Sequence, residues 1–174
     1  MNVKKTQLLK LLDESGPKLY NMLTRLALSD DIAEELMQDL FIKLFEIENL
    51  KKIKNLEAYA YRTAVNLAFD WRRRKRTFEV ILDHHPDPCT PQVDLKLIQH
   101  EDLTQVLNAI EQLPNLMREC VVLRYIEQMS YDQIALRIQK SNPSIRVHCS
   151  KGIIRLRQFL NENNASLNKE AANE

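Results

Sequence analysis

Tyr59, Arg62, Asn66 and Arg73 follow one another at intervals of three, four and seven residues, the spacing that sets side chains on one side of an α-helix. An aromatic ring, an amide and two guanidinium groups in one row have a definable chemistry: rings stack on unpaired bases, amides read base edges and cations track phosphates. Five consecutive cations, Arg72 to Arg76, come next. The pattern suits a melted nucleic-acid strand. It suits equally a solvated helix whose basic end is favoured by the negative pole of the helix dipole. Either way a helix must carry these groups, and Leu56, Ala60, Ala64, Leu67, Ala68 and Trp71 supply the apolar stripe that such a helix would bury.

The rest of the chain says what kind of body that helix belongs to. In 174 residues, 44% are hydrophobic and 28% charged, ordinary values for a globular protein, but only two are glycine. So few glycines, with long stretches rich in Leu, Ala, Glu, Lys and Gln, predict an all-α fold of helices and short connections. No apolar run reaches the roughly 20 residues of a membrane span, and the start of the chain lacks a secretory apolar core, so no membrane insertion and a cytoplasmic location are expected. Cys89, Cys120 and Cys149 are odd in number and widely spaced, which reads as reduced thiols.

A net charge of +1 conceals an alternation. Residues 51–76 carry nine Lys/Arg against two Asp/Glu, and residues 77–113 one against seven. Residues 114–160 then carry eight against three. Two basic blocks separated by an acidic one suit a chain that grips a polyanion in two places.

In order, residues 6–28 read as two helical pieces interrupted at Pro17. Ser29, Asp30 and Asp31 cap a helix running to about Ile47, with Ile32, Leu36, Leu40, Phe41, Leu44 and Phe45 inward. Asp39 lies two turns in, beyond useful reach of the dipole, so Gln38, Asp39 and Lys43 form a candidate partner surface. Asn49 to Asn55 reads as a basic loop. From Phe78 to about Gln99, Pro86, Pro88 and Pro91 break the pattern and predict an extended linker. Within it, Asp83, His84, His85, Asp87 and Cys89 are metal-ligand types, but their spacing fits no closed site and no metal is expected.

Helical pattern resumes with Leu103, Val106, Leu107, Ile110 and Leu113, breaks at Pro114, and continues through Leu116, Cys120, Val121, Leu123 and Ile126. Ser130 and Gln133 spell a capping box for a helix over Tyr131 to Ile138. After a short turn, Asn142 as N-cap and Pro143 as first residue open a helix to about Leu160, giving a helix-turn-helix. Its inner stripe is Ile145, Cys149, Gly152, Ile153, Leu156 and Leu160. Ser144, His148, Lys151 and Arg155 share the outer face, with Arg146 at the turn that would enter a major groove. Two merely packed helices remain the plainer reading of the same pattern.

Taken together, the order Asp-Ile-Ala-Glu-Glu-Leu-Met-Gln-Asp-Leu-Phe-Ile-Lys-Leu-Phe from Asp31, a loop, and Tyr-Arg-Thr-Ala-Val-Asn-Leu-Ala-Phe-Asp from Tyr61 resembles region 2 of the extracytoplasmic-function sigma factors. The stretch from Ala109 to Ala135 resembles sigma region 4. The resemblance implies two helical domains, 1–77 and 97–162, with a linker at 78–96 and a polar tail at 163–174. It implies docking on the clamp helices of core RNA polymerase through Gln38, Asp39, Phe41 and Lys43, and on its flap through region 4. It implies minus-10 promoter DNA contacts from Lys51, Lys52, Lys54, Tyr59, Tyr61, Arg62, Asn66, Arg72, Arg73, Arg74 and Arg76, with Tyr59 where a tryptophan is usual. Minus-35 contacts fall to Asn142, Ser144, Arg146, Val147, His148, Lys151 and Arg155. Gln139 stands where the turn usually has glycine, Lys140 where an apolar residue is usual and His148 where arginine is common. No catalytic residue and no cofactor is expected, and an anti-sigma factor is a further partner the family allows. The rival readings are a helix-turn-helix regulator acting without polymerase, and an RNA-modifying or metal-dependent enzyme using His84, His85 and Cys89.

Overall fold

Leu- and Ala-rich sequence with hardly a glycine folds into helices wherever proline allows. The computed structural model describes residues 3–82 and 95–170, which form seven α-helices with no strand among the described residues. They are α1 (Val3–Ala27), α2 (Asp30–Glu46), α3 (Leu56–Leu82), α4 (Leu95–Glu111), α5 (Asn115–Val121), α6 (Tyr131–Ile138) and α7 (Asn142–Glu170). A 3-10 turn at Leu50–Lys52 precedes α3, and a π-helical turn at Val122–Ile126 extends α5.

The first three helices form one bundle. Leu19, Met22, Leu23 and Leu26 of α1 interleave with Leu36, Leu40 and Leu44 of α2 and with Ala60, Ala64 and Ala68 of α3, all buried. Each large aliphatic group there contributes about 1.5–3 kcal/mol by leaving water. Ser29 opens α2 by accepting from the Ile32 N–H at 3.4 Å. Asn55 opens α3, its Oδ1 accepting from the Ala58 N–H at 2.9 Å. Both are side-chain caps on backbone donors that the helix itself leaves unpaired.

The structure corrects several expectations. Helix α1 is continuous through Pro17. Asp13, whose carbonyl the proline ring deprives of its helical partner, and Pro17 itself are both exposed, so water can replace the lost bond. Phe45 points outward at 60% exposure, because the buried stripe of α2 runs through Ala33, Leu36, Leu40 and Leu44, one residue short of it. In α4, Leu103 and Val106 are exposed, and Leu107 and Ile110 make the buried side, continued by Leu113 in the turn beyond it. Helix occupies both ends of the expected linker 78–96, since α3 runs to Leu82 and α4 starts at Leu95, before and after the prolines. The metal-ligand types from Asp83 to Cys89 lie outside the described residues. Helix α7 also runs past the expected end at Leu160, to Glu170.

Helices α4 to α7 pack around α5. Gly152 of α7 lies so close to it that a Cβ there would stand 2.5 Å from Val121 Cγ2 and 3.2 Å from Met117 Cγ. Cys120 and Cys149 are free and buried at the same crossing, the Cys149 thiol donating to the Cys120 carbonyl at 3.6 Å. The capping box of α6 is present in full: Ser130 Oγ accepts from the Gln133 N–H at 3.2 Å and Gln133 Oε1 from the Ser130 N–H at 2.8 Å. Gln139 ends α6 in the left-handed region at φ 58°, the geometry usually given to glycine, at a cost of roughly 1–2 kcal/mol for a side chain with a Cβ. Ser141, not Asn142, caps α7, its Oγ accepting from the Ser144 N–H at 3.4 Å.

Candidate nucleic-acid interface

Helix α3 is buried over more of its circumference than a single apolar stripe requires. Beside Ala60, Ala64, Leu67 and Ala68, the adjoining row Tyr61, Val65, Phe69 and Arg72 is also buried. Two of the anticipated DNA-contacting residues are thereby withdrawn from the surface. Tyr61 is 2% exposed, its ring covered by the Arg137 guanidinium at 3.9 Å, and burial raises its phenol pKa. Arg72 donates to the carbonyls of Leu26 at 3.3 Å and Thr104 at 3.4 Å and to Asn108 Oδ1 at 3.1 Å, tying α1 and α4 to α3. Both sit one helical position off the exposed row, a difference too small for a composition of alternating Ala, Arg and Tyr to reveal.

The exposed row survives. Tyr59, Arg62 and Arg73 are exposed and Asn66 half-buried, all on one side of α3. Tyr59 and Asn66 line a groove of about 370 Å³ with Lys43, Glu46 and Asp70. Lys52 and Lys54 are exposed beside the start of α3, and Lys51 lies in the 3-10 turn. Arg74 is exposed and donates to the Asp70 carbonyl at 3.4 Å.

What the sequence does not foretell is which groups occupy this row. Arg62 Nε lies 3.0 Å from Glu119 Oε2 of α5. Arg73 Nε and Arg76 Nη2 both lie 3.2 Å from Glu111 Oε1 at the end of α4. Glu111 and Glu119 side chains are 3% and 4% exposed, and Glu111 Oε2 and Glu119 Oε1 are buried with no hydrogen-bond partner among the described residues. Burial raises the Glu119 carboxyl pKa, against the opposing pull of Arg62.

On α2, Gln38, Asp39 and Lys43 are exposed and Phe41 is half-buried. Beside them Ile42 is exposed, and so is Phe45, which the helical pattern places inward. Asp39, Ile42 and Lys43 line a groove of about 640 Å³ whose far wall is Leu67, Asp70, Arg73 and Arg74 of α3.

On α7, Arg146, Val147, Lys151 and Arg155 are exposed, and Asn142, Ser144 and His148 half-buried. Arg146 is braced before any ligand arrives: its Nε donates to Asn142 Oδ1 at 2.7 Å and its guanidinium lies 4.7 Å from the Tyr131 ring centre. Asn142 in turn bonds Asp132 through its amide nitrogen. A pre-positioned guanidinium at the first turn of a recognition helix is suited to a guanine edge or a phosphate.

Among the described residues there is no group of three His, Cys, Asp or Glu placed to hold a metal, and no helix long and apolar enough to cross a membrane. Residues 11–78 match the family model for sigma-70 region 2 and residues 103–156 that for sigma-70 region 4. Relatives include an RNA polymerase sigma-E factor of Streptomyces avermitilis, 26% identical over 129 residues, covering 74% of this chain and 70% of that one. Another is the ECF RNA polymerase sigma factor SigE of Mycolicibacterium smegmatis, 24% identical over 155 residues, covering 87% and 60%. Among solved structures, the sigma factor RpoE in complex with the anti-sigma factor NepR from Bartonella quintana is 24% identical, covers 90% of this chain and 96% of that one, and gives a TM-score of 0.43. The chain belongs to the sigma-70 family of RNA polymerase sigma factors, in its extracytoplasmic-function group.

Proposed function

We propose that this protein binds core RNA polymerase and directs it to promoters, α3 engaging the melted minus-10 strand and α7 the minus-35 duplex. One observation carries the reading: Tyr59, Arg62 and Asn66 form one accessible row on α3, and Arg146, Lys151 and Arg155 form a second on α7 of the same chain. A single-strand surface and a duplex surface in tandem serve promoter opening, whereas a regulator that only docks on duplex needs the second alone. Gln38, Asp39, Phe41 and Lys43 on α2, with Ile42 and Phe45, form the polymerase-facing surface, and residues 83–94 connect the two halves. The protein performs no catalytic step, since polymerase does the chemistry, and it works in the cytoplasm, with an anti-sigma factor as the expected kind of regulator.

The test is run-off transcription from a matched promoter with core polymerase. Addition of the chain should give a discrete transcript from opened DNA. Tight duplex binding without any transcript would favour the polymerase-independent regulator instead.

A further inference from the structure

Between the start of α2, the second half of α3 and α4 lies a cavity of about 330 Å³, lined by neither of the rows assigned above to promoter DNA. Ile32 and the half-buried Trp71 indole give it an apolar wall, Lys75 and Arg76 give it positive charge, and Ser29 and Asn108 add a hydroxyl and an amide. No Asp or Glu lines it among the described residues. Arg72 fixes its shape, because one guanidinium donates to the Leu26 carbonyl at 3.3 Å, the Thr104 carbonyl at 3.4 Å and Asn108 Oδ1 at 3.1 Å, holding α1 and α4 at set places around α3. Lys75 Nζ lies 5.4 Å from the centre of the Trp71 ring, inside the roughly 6 Å reach of a cation–π contact. The volume stands at the lower end of the roughly 300–1,000 Å³ usual for small-ligand pockets.

We propose that this cavity binds a free mononucleotide, its base against Trp71 and its phosphate between Lys75 and Arg76. A bare anion would leave the indole wall in water, and an apolar molecule would take water from the cations without replacing it. A ligand flat at one end and anionic at the other serves both walls. The ammonium of Lys75 rides on a flexible four-carbon stem, so it can swing from the ring to a phosphate while the incoming base takes its place over the indole. Arg76 meets Glu111 through Nη2 at 3.2 Å, and a guanidinium carries five N–H donors, so this ion pair is compatible with a phosphate contact. Ser29 and Asn108 are placed for the polar edges of base or sugar.

Trp71 is the chain's only tryptophan, so its fluorescence reports on this cavity directly. The experiment titrates adenosine and guanosine 5′-monophosphates and 5′-diphosphates into the full chain and follows Trp71 emission, with melting temperature as a second readout, since a ligand of the folded state raises it. At least one nucleotide should quench the emission saturably and raise the melting temperature. The matching nucleoside and inorganic phosphate should each bind about tenfold or more weakly. Lys75→Gln, at an exposed position, should weaken nucleotide binding by about tenfold. Asn108→Asp keeps an acceptor for Arg72 but sets a carboxylate on the wall, and should weaken binding as much or more. Lys140→Gln, a lysine outside the cavity, controls for loss of charge alone and should bind as the unaltered chain does. If Asn108→Asp fails to fold, Lys75→Gln against Lys140→Gln decides. Absence of saturable quenching by any of the nucleotides would overturn the proposal. So would inorganic phosphate binding as tightly as the nucleotides, or equal losses in Lys75→Gln and Lys140→Gln.

Discussion

Helices α3 and α7 both turn cations outward, yet the two faces are held in different ways. On α3, Arg62, Arg73 and Arg76 are engaged by carboxylates drawn from α4 and α5, two helices distant in sequence. On α7, Lys151 and Arg155 are exposed and make no ion pair among the described residues, while Arg146 is braced by its own neighbours Asn142 and Tyr131. On α3 the position of each guanidinium depends on helices that arrive later in the chain. A face braced locally is ready at all times. The comparison sets cations held by carboxylates from distant helices against cations braced by their immediate neighbours.

The largest effect expected is on the ready face. Arg146→Ala should cost about 1–3 kcal/mol in holoenzyme binding to the matched upstream element if Arg146 reads a guanine edge, and should narrow the gap to mismatched elements. Equal weakening on every sequence, with the salt slope reduced by about one, would assign it to phosphate instead. Because Asn142 holds Arg146 in place, Asn142→Ala should produce a smaller loss of the same kind, and no loss would break the claim that bracing matters.

Next comes the scaffold beneath that face. Gly152→Ala gains helix propensity but forces a methyl against the branched Val121 side chain, and should lower stability by a net of about 1–3 kcal/mol in thermal unfolding. A rise in melting temperature would mean that α5 yields easily.

On α3, Asn66→Ala should reduce promoter melting, followed by permanganate reactivity, more than it reduces closed duplex binding. Equal losses would show that α3 does not discriminate melted from paired DNA.

The smallest effect is the pH dependence of the packing between α1–α3 and α4–α7. Burial raises the carboxyl pKa values of Glu119, facing Arg62, and Glu127, facing Arg25 and Arg137, above their ordinary 4.5. The packed state therefore binds these protons more tightly, so this part of its stability is fully present below pH 4.5 and is lost as pH rises through the raised values. The radius of gyration should increase across that interval, and Glu119→Gln, neutral at every pH, should flatten the Glu119 share of the response.

These faces were unequally legible. Caps are written in neighbouring residues, so the Ser130 and Gln133 box and the Ser29 cap could be read directly. The row Tyr59, Arg62, Asn66 could be read because helical period alone sets it. Tyr61 and Arg72 could not, since their burial depends on Arg137, Thr104 and Asn108, which arrive from later helices. Gln139 illustrates the opposite difficulty: its side chain argues against the left-handed geometry, but the turn between α6 and α7 imposes it. Pro17 by itself predicts a break, but it and Asp13 are exposed, so water can serve the carbonyl that loses its helical partner and α1 continues.

The absent Cβ of Gly152 has a mechanical meaning. Helix α7, 29 residues long, is a lever about 44 Å in length resting on α5 at that point. Arg146 lies about 9 Å along the axis from the fulcrum, so a tilt of about 10° displaces it by about 1.5 Å, half the length of a hydrogen bond. The position of the Arg146 guanidinium is therefore set one helix away, by the thickness of a single hydrogen-bearing carbon.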